Sequence, residues 1–95
     1  MMKEISESLP DDSIVVSDTG HTAMWTVQNL WMNKKWEFIR CAGSLGWGFP
    51  AAMGAKCAFP EKNVFCLTGD GGLWYHFTEL ETAIRSDIPT ITIVN

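Results

Sequence analysis

Short apolar runs alternate along this chain with stretches whose apolar residues recur every three or four positions. Ile14-Val15-Val16 reads as a buried strand, entered from Pro10-Asp11-Asp12 and closed by Asp18-Thr19-Gly20. From Thr22 to Leu30 the pattern turns helical, with Thr22 a candidate N-cap and Met24, Val27 and Trp31 on one stripe. Alternation of Trp36, Phe38 and Arg40 predicts a second strand over 36–41. A glycine-rich loop covers 42–48, and Pro50 stands where the first turn of a helix tolerates it. The small residues Ala51-Ala52-Met53-Gly54-Ala55 suit close packing on a sheet, and that helix stops near Phe59-Pro60. Asn63 to Thr68 is a third strand. Thr78-Glu79-Leu80-Glu81 resembles a capping box, followed by helical spacing of Phe77, Leu80 and Ile84 through Arg85. Pro89 breaks this helix, and the β-branched run Thr90 to Val94 forms a fourth strand.

Regular alternation of strand and helix predicts an α/β fold, a three-layer parallel sheet. Repeats, low-complexity segments and linkers are absent from the sequence. The last strand runs to Asn95 with no covering helix after it, whereas parallel sheets are usually covered on both faces. The expectation is therefore a fragment or truncated product, with a small four-strand domain as the alternative.

Composition narrows the function. Ninety-five residues, 46% apolar and 19% charged, make one domain of ordinary globular type. A chain this short buries about 60–65% of its unfolded surface. Five tryptophans are hard to hide in such a core, so several are expected on a surface meant for another domain or subunit. A net charge of -4 offers no footprint for nucleic acid, and Lys34-Lys35 reads as a solvated loop. Cys41, Cys57 and Cys66 are odd in number and lack a CxxC pair, which argues against structural zinc and a disulfide framework. They read as small buried hydrophobes of a reduced, cytoplasmic protein. Met1 to Ile5 shows no signal peptide, and no run approaches the ~18 apolar residues that span a membrane.

The candidate chemistry lies in the turns. Leu67-Thr68-Gly69-Asp70-Gly71-Gly72 sets one carboxylate among three glycines directly after the apolar run Val64 to Leu67. Glycine amides can receive phosphate oxygens, and Asp70 would be a hard oxygen ligand for magnesium or calcium. The same tetrapeptide also suits a common Asp-Gly turn. Asp18-Thr19-Gly20-His21-Thr22 and Gly43-Ser44-Leu45-Gly46 occupy the other strand-to-helix turns. In a parallel sheet all three lie on one edge, where they can converge on one ligand. Helix N-termini behind them add partial positive charge suited to a diphosphate. Neither G-x-G-x-x-G nor G-x-x-x-x-G-K-[ST] occurs, which disfavours an ordinary dinucleotide site or a P-loop.

Gly69-Asp70-Gly71-Gly72, followed by Glu79-Leu80-x-Thr82-Ala83-x-Arg85 and Ile88-Pro89 to Asn95, resembles the thiamine-diphosphate motif. That motif is a Gly-Asp-Gly followed about 25 to 30 residues on by an Asn pair. Gly43-Ser44-Leu45-Gly46-Trp47-Gly48-Phe49-Pro50-Ala51-Ala52-x-Gly54-Ala55 is similar to the cofactor-supporting segment of the same enzymes. Asp18-x-Gly20-x-x-x-Met24-Trp25 resembles the opening of their diphosphate-binding domain, in the manner of acetolactate synthase large subunits. The likeness runs over residues 8 to 95 and implies that residues 1–95 are a partial, truncated thiamine-diphosphate-binding domain.

The resemblance implies thiamine diphosphate and Mg²⁺ as cofactors. Asp70 would be the metal ligand, and Gly71 and Gly72 would offer backbone contacts to the diphosphate. Thr19, Gly20, His21 and Thr22 occupy the diphosphate loop. Gly43 would supply a carbonyl to the aminopyrimidine, and Leu45 matches the apolar wedge that props the bent cofactor. Counting from Asp70, the second Asn of the family pair falls about two residues past Asn95. The activating glutamate belongs in the family to a separate pyrimidine-binding domain, usually of a neighbouring subunit, so no catalytic residue is assigned here. Glu79 and Glu81 read as capping box and solvated face, His76 as a residue at a helix start, and Trp47 and Trp74 as core or interface aromatics. Met24, Met32 and Met53 read as ordinary packing. The implied parent is a homo-oligomer that decarboxylates a 2-oxo acid and transfers the acyl-anion equivalent, the isolated chain being inactive. The other class left open is a non-catalytic, flavodoxin-like module that binds a phosphate or nucleotide without magnesium.

Overall fold

A computed structural model describes residues 1–30 and 36–95; Trp31, Met32 and the Lys34-Lys35 pair lie outside the described residues. In chain order the elements are α1 (Met2–Ser8), β1 (Ile14–Ser17), α2 (His21–Asn29), β2 (Glu37–Arg40) and α3 (Gly48–Ala58). They continue with β3 (Val64–Thr68), α4 (Asp70–Tyr75), α5 (Glu79–Arg85) and β4 (Ile91–Val94). The four strands pair in parallel in the order β2-β1-β3-β4.

Side chains on a strand point alternately to the two faces, and the core splits accordingly. Val15, Phe65 and Leu67 pack on one face with Met2, Leu9 and Trp36, beneath α1 and α2. Ile14, Val16, Val64 and Cys66 pack on the other with Phe49, Ala52 and Met53 of α3, and Leu73, Leu80 and Ala83 lie against them. The fold is thus the expected three-layer α/β arrangement. The central strands β1 and β3 are buried at every position, as doubly covered parallel strands are, while β2 and β4 are exposed at both ends.

Topology places the site. The chain leaves β1 for β2 on one side, crosses back to β3 and continues to β4. Adjacent β1 and β3 therefore send their outgoing chains in opposite directions, which makes the crevice at their carboxyl ends a switch point. These ends are in phase: Ser17 pairs with Leu67, and the Asp18 N–H donates to the Leu67 carbonyl at 2.9 Å. The Asn95 N–H donates to the Thr68 carbonyl at 3.0 Å, bringing the end of β4 to the same edge.

Several local expectations are corrected. Helix α2 begins at His21 with Gly20 (φ 115) at its N-cap, and no side-chain cap forms, so Thr22 lies inside the first turn. Its buried residues are Thr22, Ala23 and Thr26, whereas Met24 and Val27 are 50% and 53% exposed. Thr26 Oγ1 donates to the Thr22 carbonyl at 2.7 Å. That local bond satisfies the hydroxyl and lets a small polar face sit against the sheet. The capping box at Thr78 does not form either, because Thr78 is already helical (φ -63, ψ -22). The N–H groups of Glu79, Leu80 and Glu81 reach the carbonyls of His76, Phe77 and Thr78, so they need no side-chain acceptor. On α5, Leu80 and Ala83 face the core while Ile84 is 82% exposed, and Phe77 also faces outward. Helix α1 emerges from the segment read only for a signal peptide, with Met2, Ile5 and Leu9 on the core side.

The cysteines differ from one another. Cys66 is buried, Cys41 half-buried and Cys57 exposed, and all three are free thiols. Burial, with the charge of nearby Asp18 adding to it, pushes the Cys66 thiol up to about 12. No helix among the described residues is long and apolar enough to cross a membrane.

Candidate functional site

Asp18 follows β1 directly and its residue is fully buried, at 0% exposure. Its Oδ1 accepts from the Thr19 N–H at 2.8 Å and from the Gly48 N–H at 3.3 Å. The Gly46 N–H reaches both carboxylate oxygens at 3.1 Å. Thr68 Oγ1, at the end of β3, donates to Oδ2 at 2.9 Å. One carboxylate thereby ties together the turns that follow β1, β2 and β3. Thr19 Oγ1 adds a second cross-tie, donating to the Cys41 carbonyl at 2.9 Å.

Close approach explains two of the glycines. A methyl group on Gly72 would overlap Asp18 Oδ2 and stand 2.5 Å from Thr68 Oγ1. Gly46 takes φ +88, and a methyl group there would meet the Tyr75 Cβ at 2.6 Å and the Gly72 carbonyl at 3.2 Å. The second loop therefore rests directly on the start of α4. Leu45 stands beside this contact with 42% of its surface exposed.

Two helix starts face the same edge. The first i→i−4 bond of α2 runs from Met24 to the Gly20 carbonyl, and that of α4 from Leu73 to the Gly69 carbonyl. The amides of His21, Thr22 and Ala23, and of Asp70, Gly71 and Gly72, precede those bonds and suit an anion. A methyl group on Gly69 would lie 3.6 Å from Thr22 Oγ1 and 3.8 Å from the Asn95 carbonyl, so the two starts are neighbours. At Gly20, Gly43 and Gly71 the corresponding space is open to 4 Å. Such a donor-rich edge with room above its glycines fits a diphosphate.

Asp70 is exposed and has no hydrogen-bond or ion-pair partner among the described residues. No group of three or more His, Cys, Asp or Glu side chains that could hold a metal occurs among the described residues. A cation at Asp70 would therefore take most of its oxygens from a phosphate ligand, backbone carbonyls or water. A groove of about 520 Å³ lies elsewhere, lined by Phe49, Leu80, Ala83 and Ile88 together with Asp87 and Thr92. None of the glycine-bearing turns lines it, so the candidate chemistry stays with the loops.

The structure brings Thr19, Gly20, His21, Thr22, Gly43, Leu45, Asp70, Gly71 and Gly72 to one sheet edge. Within that set Thr22 and Gly72 are buried, and the Thr19 hydroxyl is committed to Cys41. His21 is exposed with its ring 6.4 Å from that of Trp25. His76 lies beside Gly46, and Trp74 projects outward at 77% exposure beside Phe77. Sequence reasoning gave no role to Asp18 or Thr68. The available signal was an aspartate set directly after a wholly buried strand, at an edge where three glycine loops offer N–H donors.

Comparison with known proteins identifies the family. The family model described as thiamine pyrophosphate enzyme, C-terminal TPP binding domain, matches residues 18–95. Acetolactate synthase isozyme 2 large subunit of Escherichia coli (strain K12) is 35% identical over 91 residues, covering 94% of this chain and 17% of that protein. Acetolactate synthase large subunit of Parasynechococcus marenigrum (strain WH8102) is 37% identical over 89 residues, 92% of this chain and 14% of that protein. The 2-hydroxyacyl-CoA lyase 2 of Mus musculus is 36% identical over 97 residues, 99% of this chain and 15% of that protein. The chain thus spans less than a fifth of the length of these curated relatives. It belongs to the thiamine pyrophosphate enzyme family, within its C-terminal TPP-binding domain, whose cofactor is thiamine diphosphate with Mg²⁺.

Proposed function

We propose that this chain supplies the diphosphate-and-metal end of a thiamine-diphosphate site in a longer, acetolactate synthase-like enzyme. That enzyme would decarboxylate a 2-oxo acid and transfer the acyl-anion equivalent to a second carbonyl. The observation that carries this reading is the joining of three ligand-facing loops through one buried carboxylate at the β1/β3 switch point.

The amides at the starts of α2 and α4 receive diphosphate oxygens, with Thr19 and Gly20 shaping the first loop and His21 and Thr22 opening its helix. Gly71 and Gly72 contribute backbone contacts from the second helix start. Asp70 would hold Mg²⁺ together with the diphosphate, since among the described residues no cluster of three or more metal-binding side chains occurs. Gly43 would offer its carbonyl to the aminopyrimidine, and exposed Leu45 would press against the cofactor and restrict its conformation. When bound, the cofactor would supply an electron sink for decarboxylation chemistry.

No carboxylate of this chain is assigned to activate the cofactor. That group comes from a pyrimidine-binding domain of a neighbouring subunit, in a cytoplasmic homo-oligomer. Trp25 and Trp74, 46% and 77% exposed, support such an interface. The isolated chain accordingly binds cofactor without turnover. Calorimetry with thiamine diphosphate tests the assignment: binding requires Mg²⁺ and is lost in Asp70→Ala. Binding that ignores both the metal and the substitution contradicts it and favours a metal-independent phosphate module.

A further inference from the structure

We propose that Asp18 is a positioning residue that fixes the separation between the two ends of the cofactor cradle, a role that rests on the function proposed above. Asp18 is buried beneath the loops and turned towards their backbone. Its partners Gly46, Gly48 and Thr68 stand 28, 30 and 50 residues away in sequence. The carboxylate thus joins the three turns, in addition to the β1–β3 pairing and the Thr19–Cys41 bond.

The consequence is geometric. Leu45 is followed directly by Gly46, whose N–H is clamped by both carboxylate oxygens, so Asp18 sets the height of the wedge above the sheet. Thr68 precedes Asp70 by two residues and is anchored to the same carboxylate. Gly72 backs onto it closely enough to exclude even a methyl group. One group therefore fixes the diphosphate-and-metal end and the aminopyrimidine end relative to each other. A two-ended ligand gains affinity over its separate parts only when the two subsites are held at the span of the ligand. Loosening Asp18 should remove that gain while leaving each end able to bind.

Substitutions separate this role from general support of the fold. Asp18→Ala removes every tie made by the carboxylate, leaving the Asp18 N–H bond to Leu67 and the Thr19 hydroxyl bond to Cys41 in place. Asp18→Asn keeps one tie to each segment: its Oδ1 can still accept from Thr19, Gly46 and Gly48, and its amide can donate to Thr68 Oγ1. Only the second Gly46 contact, to Oδ2, is lost. Thr68→Val removes only the tie to the third turn, and Thr68→Ser keeps it.

The experiment measures, for the 95-residue chain, the affinity for Mg²⁺-thiamine diphosphate divided by that for Mg²⁺-pyrophosphate. The expected ratio falls about tenfold in Asp18→Ala and about threefold in Thr68→Val, through thiamine diphosphate alone, and is retained in Asp18→Asn and Thr68→Ser. In parallel, hydrogen exchange without ligand should show the Gly46 and Gly48 amides of Asp18→Ala losing protection selectively, while those of Val15 and Val16 keep theirs. Should Asp18→Ala not fold, the Thr68→Val and Thr68→Ser pair decides the ratio. Affinities for both ligands falling together, or an unchanged ratio, would overturn the proposal, as would undiminished protection at Gly46 and Gly48. A wild-type chain that binds neither ligand sinks the functional reading, and the exchange measurement then decides the positioning claim by itself.

Discussion

Replacing Gly72 with alanine tests the packing on which the whole site depends. The added methyl group would stand 2.5 Å from Thr68 Oγ1 and overlap Asp18 Oδ2. Ordinary contact needs about 3.4 Å, so the overlap with Thr68 is about 0.9 Å. Neither neighbour can yield freely. Thr68 is β-branched and fully buried, and Asp18 is held by three N–H groups from two segments. Overpacking costs about 1–3 kcal/mol, and breaking a hydrogen bond to a charged group adds about 1.5–3 kcal/mol. Alanine's better helix propensity returns ~1 kcal/mol, leaving a net loss of about 1.5–5 kcal/mol. With a urea slope of about 1 kcal/mol per molar, the unfolding midpoint falls by about 1.5–5 M, followed by tryptophan fluorescence. Gly71→Ala is the control: it lies in the same short helix, finds nothing within 4 Å, and should be neutral or slightly stabilising. Equal midpoints for the two variants would refute the close approach of α4 to Asp18.

Further outcomes follow from individual contacts. Trp36→Phe removes the indole donor that reaches the Pro10 carbonyl at 3.0 Å and should cost about 1–2 kcal/mol in the same urea assay. Native protein at pH 8 should expose Cys57 to a thiol reagent at once and Cys66 only on unfolding. Because the folded state raises the Cys66 thiol from 9.0 to about 12, its contribution to stability is complete below pH 9 and lost as pH rises towards 12. Over that range wild type should lose up to about 1.4 kcal/mol per pH unit more than Cys66→Ala, and parallel curves would contradict the shift.

The strands and their turns were legible because their signals are local. Ile14-Val15-Val16 and Val64 to Leu67 are apolar at successive positions, as only doubly covered strands need be, and each ends in a glycine-bearing turn. Strand-helix alternation then placed the three loops on one edge. The helix faces were misread for a common reason: periodicity reports that a face is apolar, not which element covers it. Met24 and Val27 turn away from this sheet, and Thr22 and Thr26 bury instead because Thr26 satisfies its hydroxyl within the helix. At Thr78 the expected cap gave way to carbonyls of the preceding turn, which no spacing rule foresees. Asp18 escaped assignment because its meaning lies in partners 28 to 50 residues away. A lone aspartate after a strand announces a turn; only the folded chain shows that three turns meet on it.

The account stands most directly on whether the loops act as one cradle. Titrating isotopically labelled chain with thiamine diphosphate and Mg²⁺, while following backbone amide resonances, puts this to the test. The amides of Thr22, Leu45 and Gly71 should move along a single binding curve that disappears without Mg²⁺, while Lys62, at the opposite end of β3, stays still. Independent curves for the three loops, or shifts confined to one of them, would contradict it.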